Sequence, residues 1–496
     1  MVVGRKAMTG DDRRSRAMGL AMLGVAAVVA LLAVYGVRRF AARVELPPPP
    51  LTANRAPSVS VADFAGAEAC RDCHAEQYGA WASSTHGRAG GPPSRDVVIS
   101  RFDGRPIRFR DAVVIPSVTA RGEYTFRVRQ DGRADLVLPV AGVIGGGHMV
   151  GGGTQGFVTT SPDGTYRFLP FDFVRREAVW FCNTLGRANR GWVPITAELP
   201  IAACADWPPA RVLGTEATFS NCQECHGSQM RLRLDPQAKG YETRFASLRI
   251  NCESCHGPAK AHVQLARSGA LDTAGNIGLT SLAALPKDAS LRVCFQCHSL
   301  KDVLNEDYLP GMSLEAYYSL AFPLLGDQPF FADGRIRTFA YQEGHRWSDC
   351  YLNGPMTCTD CHEPHGQGYR DVWGTRLSDR FADGQCLGCH ASKAEPIEAH
   401  TRHSPRSPGS RCVACHMPYL QHPELGTAIR FTRSDHTIPV PRPAFDAELG
   451  IQGACQQCHA DRSAARLQRS ADSLWGELKP HPELVAALLD SGSVGE

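Results

Sequence analysis

Eight times the chain repeats the pattern Cys-x-x-Cys-His, and no other feature constrains it as tightly. The cysteine pairs are Cys70 and Cys73, Cys222 and Cys225, Cys252 and Cys255, Cys294 and Cys297, Cys358 and Cys361, Cys386 and Cys389, Cys412 and Cys415, and Cys455 and Cys458. The histidines that close them are His74, His226, His256, His298, His362, His390, His416 and His459. Sixteen of the 19 cysteines are used in this way. Two thiols at this spacing form thioethers with the vinyl groups of a haem, and the adjacent imidazole reaches the iron from one face. The pattern therefore predicts eight covalently attached c-type haems. Zinc ribbons also use Cys-x-x-Cys, but a tetrahedral site joins two such pairs and needs no histidine after each. A thioredoxin-like redox pair belongs to a βαβ unit and does not recur along a chain.

The second axial ligand decides between a carrier of electrons and a catalyst. Outside the motifs lie ten of the 18 histidines: His86, His148, His262, His345, His365, His400, His403, His422, His436 and His481. Two imidazoles on every iron would use eight of these. Supply nearly matches demand, which favours closed, six-coordinate haems that pass electrons without binding substrate. His365 follows His362 too closely to reach the opposite face of the same iron, so it serves a neighbouring haem or none. The same holds for His262 after His256. His86, His403 and His436 come next as distal candidates, then His148 and His345. His400 ranks lower, and His422 and His481 read as exposed side chains. Beyond the first 40 residues the methionines are Met149, Met230, Met312, Met356 and Met417, whose ordinary role is packing.

Lysine and arginine number 53 against 50 aspartate and glutamate, a net charge of +3, which excludes a strongly basic nucleic-acid binder. Ala17 to Val37 carry no charge, and at about 1.5 Å per residue they make a helix roughly 31 Å long, one bilayer crossing. Arg5, Lys6, Arg13, Arg14 and Arg16 precede it, placing residues 1–16 in the cytoplasm and the bulk of the protein on the periplasmic side of the inner membrane. A cleaved secretory signal, leaving a soluble periplasmic protein, is the alternative reading of 17–37. Arg13-Arg14 carries little weight as a twin-arginine signal. Residues 38–62 include Pro47 to Pro50 and read as a stiff tether. Residues 63–90 hold the first haem. Residues 91–215 lack a cysteine pair of the motif type, and TFRVRQ, DLVLPV, GFVTT and TYRFLPF predict a β-rich insertion. Haems two to eight fall in 216–463, and 464–496 read as a helical tail. A compact unit of the 222–459 size has a radius of gyration of about 18 Å, so macrocycle edges lie on the order of 10 Å apart.

The run GVIGGGHMVGGGTQG contains G-x-G-x-x-G, but strands rather than a helix follow it, so it is not read as a dinucleotide site. Its glycines let backbone approach a haem, with His148 presented from the run. Cys182, Cys204 and Cys350 lie outside the motifs. A disulfide between Cys182 and Cys204 would suit an exported region and leave Cys350 free or buried.

The segments EACRDCHAEQYGAWASSTHG, CESCHGPAKAH, TCTDCHEPHG, CVACHMP, RSDHTIPVPRP and ACQQCHADRSA span most of residues 67 to 463. In their order the chain resembles exported multihaem c-type cytochromes with doubled haem motifs. It is distantly similar to the tetrahaem electron acceptor of ammonia oxidisers and to the hydroxylamine oxidoreductase lineage. The resemblance implies that His86, His262, His365, His403 and His436 are distal ligands and that haems stack in parallel and perpendicular pairs. The expected fold is mostly α and irregular, organised around stacked haems, with an inserted β-rich region and one N-terminal transmembrane helix. Many relatives continue into tetratricopeptide repeats; the residues after the last motif are too few for three units of about 34 residues.

The expected role is a membrane-tethered octahaem cytochrome relaying electrons between a quinol-oxidising membrane complex and a redox protein partner. The rival is a reductase or oxidase of small nitrogen or sulfur compounds, such as nitrite, hydroxylamine or tetrathionate, at one haem lacking a distal protein ligand. No Cys-x-x-Cys-Lys motif is present, which removes one lysine-ligated catalytic design, and Tyr317, Tyr318 and Tyr351 are available for a haem cross-link that nothing assigns. A structural subunit of a larger respiratory complex is a third reading.

Overall fold

The structure, a computed structural model, describes residues 10–42, 59–145, 153–185, 191–215, 225–271, 273, 275–305, 307–323, 330–337, 341–421 and 432–492. Cys222, His148, His422, Met149 and most of the tether lie outside them. The chain divides into two units, Met1–Ser58 and Val59–Glu496.

In the first unit, α1 (Gly10–Ala42) contains Leu20–Val37, an uncharged window of mean hydropathy 2.5. Its leucines and valines are exposed, Leu23 at 70%, so this helix has no core of its own to enter. It has the length and composition of a membrane span or an export signal.

In the second unit, α2 (Ala75–Ser83) follows the first haem motif, and an antiparallel β region comes next. One sheet has four strands in sequence order: β2 (Ile107–Arg108), β3 (Ala112–Val118), β4 (Tyr124–Gln130) and β5 (Leu136–Pro139). The other has six, in the order β1 (Gly90–Gly91), β6 (Gly142–Ile144), β7 (Thr154–Thr160), β8 (Tyr166–Val174), β9 (Val179–Asn183) and β10 (Trp192–Pro194). The alternation in β4 explains its placement: Phe126 and Val128 face the core while Arg127 and Arg129 face solvent. Phe126 is fully buried, with its ring 4.9 Å from Phe171 and 5.5 Å from Phe157. The Cys182–Cys204 disulfide closes the same core with both residues fully buried.

The hairpin β11 (Arg231–Asp235) and β12 (Gly240–Arg244) follows the second haem motif. Met230 and Leu248, which flank it, pack with Ile144, Val158, Phe168 and Leu213 of the β region. The β core therefore extends past residue 215, because apolar residues on both sides of the second motif need the same sheet to cover them.

Beyond Asn251 regular structure consists of short helices and two-stranded hairpins, and many of the single turns are set by the motifs themselves. Helices Cys252–His256, Cys412–His416 and Ala454–Cys458 and the 3-10 turn Cys358–Asp360 each carry motif residues. At 3.6 residues per turn, cysteines three apart share a face. Asn251 caps the first of these, its Oδ1 accepting from Ser254 N at 3.1 Å. Buried Glu253 accepts from the amides of Ala65, Gly66 and Ala259 at 2.8, 2.9 and 2.8 Å, tying the first haem segment to the third motif. The tail packs onto this region: Leu467 and Ala471 of helix Ala464–Trp475 are buried, and Trp475 Nε1 donates to the His400 carbonyl at 2.6 Å.

Candidate haem-binding centre

One continuous cavity of about 2270 Å³ runs through the second unit. All fifteen described motif cysteines and all eight motif histidines line it. Close-packed interiors hold few voids larger than a water molecule, so a space of this size lined by these donors is shaped for large prosthetic groups. The residues present fit haem: each pair of thiols supplies two thioethers and each following histidine one axial nitrogen. The chemistry that haem supplies when bound is one-electron oxidation and reduction at iron.

The imidazoles test the fit further. Metal–imidazole bonds of about 2 Å on opposite sides of one ion put the ring centroids about 6 Å apart. Six motif histidines face another histidine at that separation. His74 lies 6.3 Å from His262, His86 6.0 Å from His298, and His256 6.3 Å from His365. His362 lies 6.3 Å from His436, His400 6.2 Å from His416, and His403 6.2 Å from His459. The rings of His256 and His365, and of His400 and His416, are within 7° of parallel.

The second ring nitrogen is held in place at many of these positions. Nδ1 meets a carbonyl oxygen at His262 (Ile277, 2.8 Å), His403 (Thr401, 2.6 Å), His416 (Pro439, 3.0 Å) and His436 (Ser434, 2.9 Å). His365 Nδ1 meets Glu363 Oε1 at 3.1 Å. Such a bond fixes the tautomer with Nε2 unprotonated and aimed at the facing ring, as metal-ligating histidines require. Burial lowers His298 and His436 to about 3 and His86 to about 4, with the neighbouring imidazoles adding to the effect. A neutral imidazole is the form that ligates.

Two motif histidines, His226 and His390, face no second histidine at this separation among the described residues. His226 Nδ1 sits 3.2 Å from the Ala89 carbonyl. Next to it, Ile144, Gly145, Thr154, Asp172, Asp206 and Arg211 of the β region wall the cavity. His148, an expected distal residue, lies outside the described residues. His345, another, has Nε2 3.1 Å from the Met356 carbonyl and Nδ1 3.2 Å from Ser348 Oγ. His481 packs on Phe445. His400, ranked low from sequence, faces His416. The signal for it was geometric: Arg402, at φ 57°, turns the chain left-handed between His400 and His403, so each faces a different motif. Tyr317 and Tyr318 pack around Tyr308, while Tyr351 donates to Asp288 at 2.8 Å.

The motif thiols also meet across motifs. Cys70 is a hydrogen-bond neighbour of Cys252, Cys225 of Cys297, Cys294 of Cys358, and Cys386 of Cys412. Cys255 lies in electrostatic range of Cys294, Cys361 of Cys389, and Cys415 of Cys455. These contacts join the motifs in one row, first, third, fourth, fifth, sixth, seventh, eighth, with the second branching from the fourth.

No protein-family model matches the chain. It is 22% identical over 416 residues to the dissimilatory sulfite reductase MccA of Wolinella succinogenes, a match covering 74% of this chain and 52% of that protein. The chain thus spans about half the length of this curated relative. Among solved structures, the outer cell wall cytochrome OcwA is 17% identical with a TM-score of 0.48, covering 83% of this chain and 86% of its own. An undecahaem cytochrome from the S-layer of Carboxydothermus ferrireducens is 15% identical with a TM-score of 0.32, covering 88% and 69%. This chain is similar to a reductase and to two cytochromes.

Proposed function

We propose that the chain is a multihaem c-type cytochrome that passes electrons along a continuous row of eight covalent haems. The observation that carries this reading is the set of six imidazole pairs about 6 Å apart across one cavity that all the described motif cysteines line. Six irons each held between two of these imidazoles would suit transfer, since an iron with two protein ligands has no position for substrate. In this proposal α1 tethers the protein to the inner membrane with the haems on the periplasmic side. A membrane quinol-oxidising complex or a redox protein supplies or accepts the electrons. His148, a distal candidate in the sequence that lies outside the described residues, is the proposed sixth ligand for the iron on His226.

A second reading has its own support. His226 and His390 face no other described histidine, acidic and basic side chains wall the cavity beside His226, and the curated relative is a sulfite reductase. In that reading the iron on His226 is open and reduces a small sulfur or nitrogen oxoanion, with the other haems feeding it. Electron paramagnetic resonance of the oxidised protein separates the two. The carrier gives no high-spin signal that sulfite, nitrite, hydroxylamine or cyanide alters. A high-spin signal that sulfite or nitrite alters overturns the carrier and supports the reductase.

A further inference from the structure

Asp172 is a half-buried acid that lines the cavity and whose carboxyl has no hydrogen-bond partner among the described residues. It stands on β8 opposite the register shift between Gln155 and Phe157 of β7. A Cβ at position 156 would lie 2.8 Å from Asp172 Oδ1, so Gly156 leaves the carboxyl its space. Beside it Asp206 is already neutralised, held by Arg211 through two bonds of 2.8 and 2.9 Å. β7 and β9, which flank β8, carry no charged residue. The titratable and charged groups around Asp172 are therefore Asp206 and Arg211 beyond β10, and His226 and His86 at the far side of β1.

The sheet connects Asp172 to the second haem motif. The carbonyl of Ala89, which holds His226, precedes Gly90; Gly90 pairs with Ile144, Ile144 with Gly156, and Gly156 adjoins Asp172. Three strand spacings of about 4.8 Å make a span of roughly 14 Å from His226's anchor to the carboxyl. Burial, with Asp206 adding to it and Arg211 opposing, pushes Asp172 up to about 8, so the acid titrates near neutrality.

We propose that Asp172 is a redox-linked proton site for the haem held by Cys225 and His226. It rests on the reading that this motif carries haem. As one electron passes from a reduced neighbouring haem c to the iron on His226, the Asp172 carboxylate takes one proton from solvent and becomes the acid. When the electron leaves, the proton returns to solvent. The only bond made or broken is the carboxyl O–H, and charge balances because one positive charge arrives with one negative charge. At an effective dielectric of about 20, a unit charge roughly 14 Å away changes proton affinity several-fold.

The test is spectroelectrochemical titration of the whole protein between pH 6 and 9, wild type against Asp172→Asn. One of the one-electron steps shifts with pH in the wild type, and in the variant that step becomes pH-independent while the others keep their positions. The same pH dependence in both proteins, or none in the wild type, overturns the proposal. If Asp172→Asn fails to fold, the redox-difference infrared spectrum of the wild type decides: a protonated-carboxyl C=O band grows on reduction, and its absence overturns the proton role. A peptide spanning Cys222 to His226 that carries no haem mass overturns the underlying site reading instead.

Discussion

Single side chains decide how each iron is closed. His400 faces His416 at 6.2 Å, so His400→Ala should convert one low-spin haem to high spin and leave the others unchanged, read by electron paramagnetic resonance. His345 already satisfies both ring nitrogens with Met356 and Ser348, and His345→Ala should leave the spectrum as it is. The sequence shows which imidazoles are proximal, because a covalent motif fixes them locally. It offers distal candidates such as His262 and His365 but not which motif each faces, since those pairings join residues up to 212 positions apart, as between His86 and His298. Arg335 is the other decisive residue. It is 4% exposed and bonds Asp333 and Asp446 at 2.7 and 2.8 Å, with Asp435 at 3.8 Å. Arg335→Met leaves three buried carboxylates uncompensated, and should cost about 3–5 kcal/mol in thermal or denaturant unfolding.

At the scale of elements, the β region is held by one large aromatic and aliphatic core, whereas the haem region has only small apolar clusters around its cavity. Phe126→Ala opens a cavity in the aromatic cluster and should cost about 3–5 kcal/mol, yet the haem count should stay unchanged by pyridine haemochrome assay. The Cys182–Cys204 bridge closes a loop of 22 residues, so Cys182→Ala with Cys204→Ala should lose about 3 kcal/mol of stability. The strands β4, β7 and β8 were legible as alternating or β-branched runs between turn residues. The hairpin β11–β12 was not, because its place beside the second motif depends on Met230 and Leu248 reaching a sheet formed earlier in the chain. The short helices of the motifs have no hydrophobic periodicity to read; their order comes from the cysteines and from caps such as Asn251.

For the whole molecule, a cavity of about 2270 Å³ runs through the haem region beside two small apolar cores, one around Leu291, Phe295 and Leu314 and one around Leu300, Ile336 and Leu420. Apolar surface around it is covered only when large planar groups fill it, so the second unit should not reach its native state without them. Expression without cytochrome c maturation should therefore give an unfolded or degraded chain, read by circular dichroism and protease sensitivity; a stable, compact haem-free protein would contradict that. Eight candidate attachment sites can be read from the sequence, whereas the order in which their thiols neighbour one another cannot, since the second motif branches from the fourth rather than lying between first and third. The most direct measurement of the central claim is the intact mass of the protein after denaturation. A mass equal to the chain plus eight haems is expected, and a mass equal to the bare polypeptide would contradict the claim.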